Sequence, residues 1–184
     1  MATDIKKLFE ALTQHQAYLY RASSKTVNEL LALFNDDTSK MLSKLRDLLD
    51  ELNESEKVAL AGGKYTTSNL REIRDLISQW FASVNLALPE AFAVSATALA
   101  VYEAIYVAKL YGAKINKPDG EKLFLSAKKA PLAGGALVDD LLSRIAENAR
   151  QKVEYAIRDG INSGKTNSEI IQRIRGTKKL NYED

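Results

Sequence analysis

Cysteine is absent from the 184 residues, which excludes a disulfide scaffold, thiolate metal sites and thiol nucleophiles. A single histidine, His15, excludes any site that needs two imidazoles. Glycine and proline are scarce, at 9 and 3, about half their usual share. Neither sign of charge dominates: 26 Lys and Arg against 24 Asp and Glu leave +2. That rules out a chain coated in basic charge, though not a local basic patch. Long hydrophobic runs are missing too. Within the most apolar region the longest charge-free stretch, Leu76 to Pro89, has 14 residues, short of the roughly 18 a spanning helix needs. No membrane span is expected, and no targeting segment, because Met1 to Lys7 lacks a basic stretch followed by an apolar one.

What is present is helix-forming. Leucine and alanine number 25 and 24, while the turn residues and the Val, Ile and Thr that sheets require are few. The composition predicts an all-α protein: a long N-terminal helix followed by an irregular helical bundle with a mobile basic loop.

The long helix is predicted over 4–53. Its apolar residues run from Ile5 and Phe9 through Val27, Leu31 and Phe34 to Met41, Leu45, Leu48 and Leu52. The polar stretch 35–39 interrupts the composition but not the phase, since Phe34 and Met41 lie seven residues apart, two helical turns. At about 75 Å such a helix must project or pair with another long helix. A short helical piece around 54–61 ends at Gly62-Gly63. Asn69 and Glu72 have the spacing of a capping pair. Pro89 stops or kinks the helix that follows, or begins a new one over 89–111. The Ala content of 89–111 predicts a central buried helix. Two domains are expected, a helical arm over 1–61 and a helical domain over 62–184.

Residues 112–136 lack periodicity and are basic, with Lys114, Lys117, Lys122, Lys128 and Lys129 against Asp119 and Glu121. A short strand or helix at 123–125 is one option there. Order returns with a helical face running from Val138 to Ile161. Gly164 suits a left-handed cap, and Thr166 with Glu169 reads as a capping box for a short helix that Gly176 ends.

Few residues point to chemistry. The run from Gly160 to Thr166 resembles a phosphate-binding loop only superficially. Three residues, not four, precede its Gly-Lys-Thr, and it follows a helix rather than a strand. His15 lies in phase with the apolar stripe, which reads as a packing histidine, not a general base. The pairs Asp139/Asp140 and Glu147/Glu154 read as solvated faces, because the helical di-metal pattern needs Glu-His pairs twice. No catalytic, cofactor-binding or metal-binding residue is expected, and the chain is not expected to be an enzyme. From Arg158 to Lys179 the local charge is +4. Lys165, Arg173, Arg175, Lys178 and Lys179 are therefore candidate contacts to duplex phosphates.

The stretch 131–177 resembles the head-morphogenesis, or minor head protein, family of tailed bacteriophages. The resemblance is carried by Pro131-Leu132, Gly135 and Leu137, then the helix to Ile157. Gly160, Gly164, Thr166, Glu169-Ile170, Ile174 and Gly176-Thr177 follow in family order and spacing. The long polar N-terminal helix and the Ala-rich helix are similar as well. The resemblance implies a mostly helical, non-enzymatic component of the phage head, made in the bacterial host cytoplasm. Such a component acts beside the portal in capsid assembly and in DNA packaging or delivery. The implied partners are the portal protein or inner capsid surface, with Met41, Leu45, Leu48 and Leu52 of the long helix as the docking stripe. Packaged double-stranded DNA and self-association through that helix are further expectations. The alternative is a non-specific DNA-binding module using segments 114–129 and 158–179. Family members continue past the Gly-Thr into further helices, so the chain is expected to represent an N-terminal portion.

Overall fold

A computed structural model describes residues 2–114 and 116–176 of the chain. Among the described residues the structure is all-α, with six helices: α1 (Ala2–Asp50), α2 (Glu54–Ala61), α3 (Ser68–Leu110), α4 (Gly120–Lys128), α5 (Val138–Asn162) and α6 (Asn167–Arg175).

The long N-terminal helix forms without a break through 35–39. Thr38 turns its hydroxyl back to the Phe34 carbonyl at 2.6 Å, and Lys40 pairs with Asp36 at 2.6 Å. The polar stretch is thus held by bonds local to the helix. A full capping box opens α2. The Asn53 side chain accepts from the Glu56 N–H, and the Glu56 carboxylate accepts from the Asn53 N–H. At the start of α3 the Asn69/Glu72 pair is not the cap. Thr67 takes that role, its hydroxyl accepting from the Leu70 N–H at 3.4 Å and its carbonyl from the Arg71 N–H at 3.1 Å. Threonine wins because it immediately precedes the first turn, where its oxygen can reach the exposed amides, whereas Asn69 already lies inside the helix.

Pro89 neither ends nor begins a helix. Helix α3 runs through it for 43 residues. The ring leaves the Asn85 carbonyl without its usual donor, a cost of about 3 kcal/mol in an ordinary helix interior.

The chain divides into two compact units, neither matching a split between 1–61 and 62–184. One comprises Met1–Leu33 and Leu88–Leu137, the other Phe34–Ala87 and Val138–Asp184. Both long helices contribute a segment to each unit. A helix is therefore not an arm merely because it is long; what matters is which side chains cover it.

The second unit holds nearly all of the apolar core. Leu42, Leu45, Leu49, Leu60, Leu70, Ile73, Val84, Ile157 and Ile170 are all but fully buried. Each contributes about 1.5–3 kcal/mol of burial free energy. Trp80 meets Phe34 edge-on at 6.0 Å. The Glu56 carboxylate is buried here as well, held by Thr67 at 2.7 Å.

The first unit has little that is fully enclosed. Among the described residues of its α3 segment only Leu88 is buried, so 89–110 is not the central buried helix that its composition suggests. Alanine permits close approach but supplies little area to cover. In the middle of this unit sits His15, 8 % exposed. Its ring stacks on Tyr106 at 3.6 Å, and Nε2 lies 3.1 Å from a Glu103 carboxylate oxygen. That confirms a packing histidine, with a carboxylate partner that spacing along the chain could not reveal. Tyr18 stacks on Tyr102 beside it at 4.0 Å. Burial, followed by the neighbouring Tyr18, pushes the Tyr102 phenol up.

The basic segment 112–136 is not simply a loop. Its centre is helix α4, capped by Asp119, whose carboxylate accepts from the Lys122 N–H at 3.2 Å. Phe124 packs on Phe92 at 6.2 Å. Gly120 lies so near α3 that a Cβ there would meet Val101 at 2.6 Å and Thr97 at 2.8 Å.

Candidate functional site

The stripe proposed for docking is mostly core. Met41, Leu45 and Leu52 are buried within the second unit, and Leu48 is half-buried. Their heptad-like spacing is genuine, but it is used internally, since three of the four side chains are enclosed within the second unit. Apolar periodicity marks the covered side of a helix and does not say whether the cover belongs to the same chain. The same face of α1 is bare in the first unit. Ile5, Phe9, Leu12, Tyr20, Val27 and Leu31 fall in one arc with Met41 and Leu45 at 100° per residue. Phe9 is 69 % exposed, Val27 53 % and Leu31 52 %.

The basic candidates sit on the joint between α5 and α6. Glycine is required twice here. Gly164 adopts φ 65°, the left-handed cap that ends α5. Gly160, inside α5, lets α6 approach so closely that a Cβ would lie 2.5 Å from Ile170 Cγ1. Thr166 and Glu169 form the expected capping box, the hydroxyl accepting from the Glu169 N–H at 3.2 Å and the carboxylate from the Thr166 N–H at 2.8 Å. The Thr166 N–H, followed by the Thr166 hydroxyl that donates to the same carboxylate at 2.9 Å, holds the Glu169 carboxyl below the usual carboxylate range.

Two of the three described candidate cations already have acids. Lys165 lies 3.7 Å from Glu169. Arg173 pairs with Asp159 and covers the Tyr155 ring at 5.8 Å. Arg175 is exposed in the last turn of α6. Lys178 and Lys179 lie outside the described residues.

Beside this joint the second unit is creased by a groove of about 1060 Å³, lined in part by Phe34, Trp80, Ile145, Tyr155, Arg158 and Arg173. Within the same unit Arg150 is gripped from both sides, by Glu147 at 2.6 Å and Glu154 at 2.5 Å, and lies over Phe81 at 5.7 Å. These carboxylates hold its guanidinium charge still more firmly, and Arg150, followed by Gln151, holds Glu147 below the usual range. The i, i+3 and i+4 spacing of Glu147, Arg150 and Glu154 was the readable sign of this bracket. Glu147 and Glu154 are thus arginine ligands and not merely a solvated pair. No group of three or more acidic or imidazole side chains is placed to hold a metal ion among the described residues.

Comparison of the chain with protein-family models, with curated proteins and with solved structures gave no match.

Proposed function

We propose that the chain is a structural and interaction component of a tailed-bacteriophage head. It would dock on the portal protein or the inner capsid surface during assembly and during DNA packaging or delivery, without enzymatic activity. The observation that carries this reading is the work done by the residues of the family resemblance. Gly160 admits α6 against α5, Gly164 and Gly176 cap helices, Thr166 and Glu169 open α6, and Ile170 is buried between the two. Every one of them builds a rigid joint, and none presents a reactive group to a substrate. A scaffold of that kind supports a positioning role.

The docking element is moved by the burial pattern. Met41, Leu45 and Leu52 are unavailable, whereas Phe9, Val27 and Leu31 continue the same stripe into the open. An exposed apolar face on a helix suits a protein groove. DNA binding through 158–179 stands behind this reading, because Lys165 and Arg173 already give their charge to Glu169 and Asp159.

The test is co-expression with a tailed-phage portal protein. The chain should co-purify with the portal, and Phe9→Lys with Val27→Lys and Leu31→Lys should release it while circular dichroism stays helical. A chain that never associates with portal or capsid, yet retains random-sequence duplex at low salt, would replace this reading with the nucleic-acid one.

A further inference from the structure

The bare stripe of α1 has a symmetry of its own, centred on the level of residue 18. Two residues equally far from that level, one on each side, are mates. At about 100° per residue, mates also fall equally far to either side of the stripe's midline. Phe9 and Val27 are mates on the midline itself. Ile5 and Leu31 are mates about 40° from it, Thr13 and Ser23 likewise, and Gln16 and Tyr20 about 20° from it. Large apolar thus answers large apolar, hydroxyl answers hydroxyl, and amide answers phenol. Leu12 alone meets a small residue, Ser24, at the edge of the arc. From Ile5 to Leu31 no charged residue lies within about 40° of the midline.

The stripe is also suited to losing its water. Ile5 is 60 % exposed and Tyr20 74 %, beside the open Phe9, Val27 and Leu31. Its two hydroxyls are already engaged within the helix. Thr13 donates to the Phe9 carbonyl at 2.9 Å, and Ser23 donates to the Tyr20 carbonyl at 3.0 Å. Covering them leaves neither donor orphaned.

We propose that this stripe pairs, antiparallel, with the same stripe of a second copy, about a twofold axis at the level of residue 18. In such an interface, where residue i meets j, j must also meet i. The mates satisfy that condition along about 39 Å of helix. A surface shaped for an unrelated partner has no need to meet it. The area suffices as well. The six exposed apolar and aromatic side chains from Ile5 to Leu31 offer on the order of 600 Å² per copy, which with a polar rim approaches the roughly 800 Å² of a standard stable interface. Gln16 and Tyr20, both exposed, bond across the axis twice and fix the register, as buried polar residues do in coiled coils. The proposal rests on the reading of this stripe as the docking element and names what covers it before docking: the portal would displace the second copy.

The test is sedimentation equilibrium of the full 184-residue chain without portal. A dimer of twice the 20.4 kDa chain mass is expected, dissociating on dilution. Phe9→Lys with Val27→Lys should raise its dissociation constant by about a hundredfold or more, because losing a single interface anchor costs about thirtyfold. Val58→Lys with Leu86→Lys, the same change at exposed apolar positions of the second unit, should leave the dimer intact. The absence of cysteine lets the register be read directly. Phe9→Cys alone and Val27→Cys alone should not cross-link on mild oxidation, since identical residues would lie about 27 Å apart along the pair. The two variants mixed should cross-link. Circular dichroism checks the fold of each variant, and the cross-linking pattern decides the matter if the lysine pair unfolds. Three results would overturn the proposal: a chain monomeric at every concentration, an equal loss in the control pair, or Phe9→Cys linking to itself. A monomer that still co-purifies with the portal would overturn self-pairing and leave the docking reading standing. A dimer of this register that never associates with the portal would do the reverse.

Discussion

Gly160→Ala puts two physical effects in direct opposition. In a helix interior the change ordinarily stabilises by about 0.5–1 kcal/mol, because glycine loses more backbone freedom on folding. At this position the new methyl would lie 2.5 Å from Ile170 Cγ1 and 3.0 Å from Cδ1. Cγ1 is not the flexible end of its side chain, and Ile170 is 1 % exposed, so it has no free volume to retreat into. Helix α6 must therefore move off α5, a strain of about 1–3 kcal/mol for one added carbon in a packed interior. The sum is a net destabilisation of up to about 2 kcal/mol. Urea unfolding followed through Trp80, whose ring is buried in the same unit, measures it. Amide exchange should accelerate across α6 before it does across α1. The control is Ile170→Ala, which removes the clashing atoms. In that background Gly160→Ala should be neutral or stabilising. A Gly160→Ala single variant more stable than the parent, with α6 exchange unchanged, would refute the close-packing argument and leave Gly160 an ordinary helical glycine.

Three further outcomes are expected. Leu45→Ala should cost about 2–5 kcal/mol, as large-to-small changes in packed cores do, and chemical denaturation will show whether Leu45 is core or a docking residue that can be changed freely. Thr166→Ala should cost about 0.5–2 kcal/mol, concentrated in α6 and visible as faster exchange at Ser168 and Glu169. Glu56 supplies a pH signature: the Thr67 hydroxyl, followed by the Asn53 N–H, lowers its carboxyl below the usual range. Its stabilising contribution is therefore present above about pH 4.3, the ordinary value for glutamate, and is lost as pH falls through the lower folded value. Glu56→Gln should flatten the acid limb of a stability-against-pH curve, and an unchanged limb would show that the carboxylate plays no part.

Much of this protein is determined along the chain itself. Twelve glycines and prolines clustered at a few joints, with leucine at helical spacing, leave an all-α chain as the outcome. Local chemistry also sets the Thr166–Glu169 box and the Gly164 cap, because both partners lie within one turn and need no tertiary help. The continuity of α1 through 35–39 is local as well, fixed by unbroken phase and by side chains returning to their own helix.

Tertiary structure decided the rest, and the reason is the same at each point. A periodic stripe reports that a face is apolar, while the identity of its cover is a contact between residues far apart in sequence. Met41 and Leu45 meet such a cover and become core, whereas Phe9 and Val27, on the same face of the same helix, do not. The Ala-rich stretch after Pro89 is apolar by composition, yet the side chains packed against it leave most of it only half-buried. Gly160 read locally is a helix-weakening residue, and only the approach of Ile170 gives it a purpose. His15 acquires Glu103 and Tyr106 as neighbours across roughly ninety residues of chain, a distance over which spacing carries no information and packing alone selects the partner.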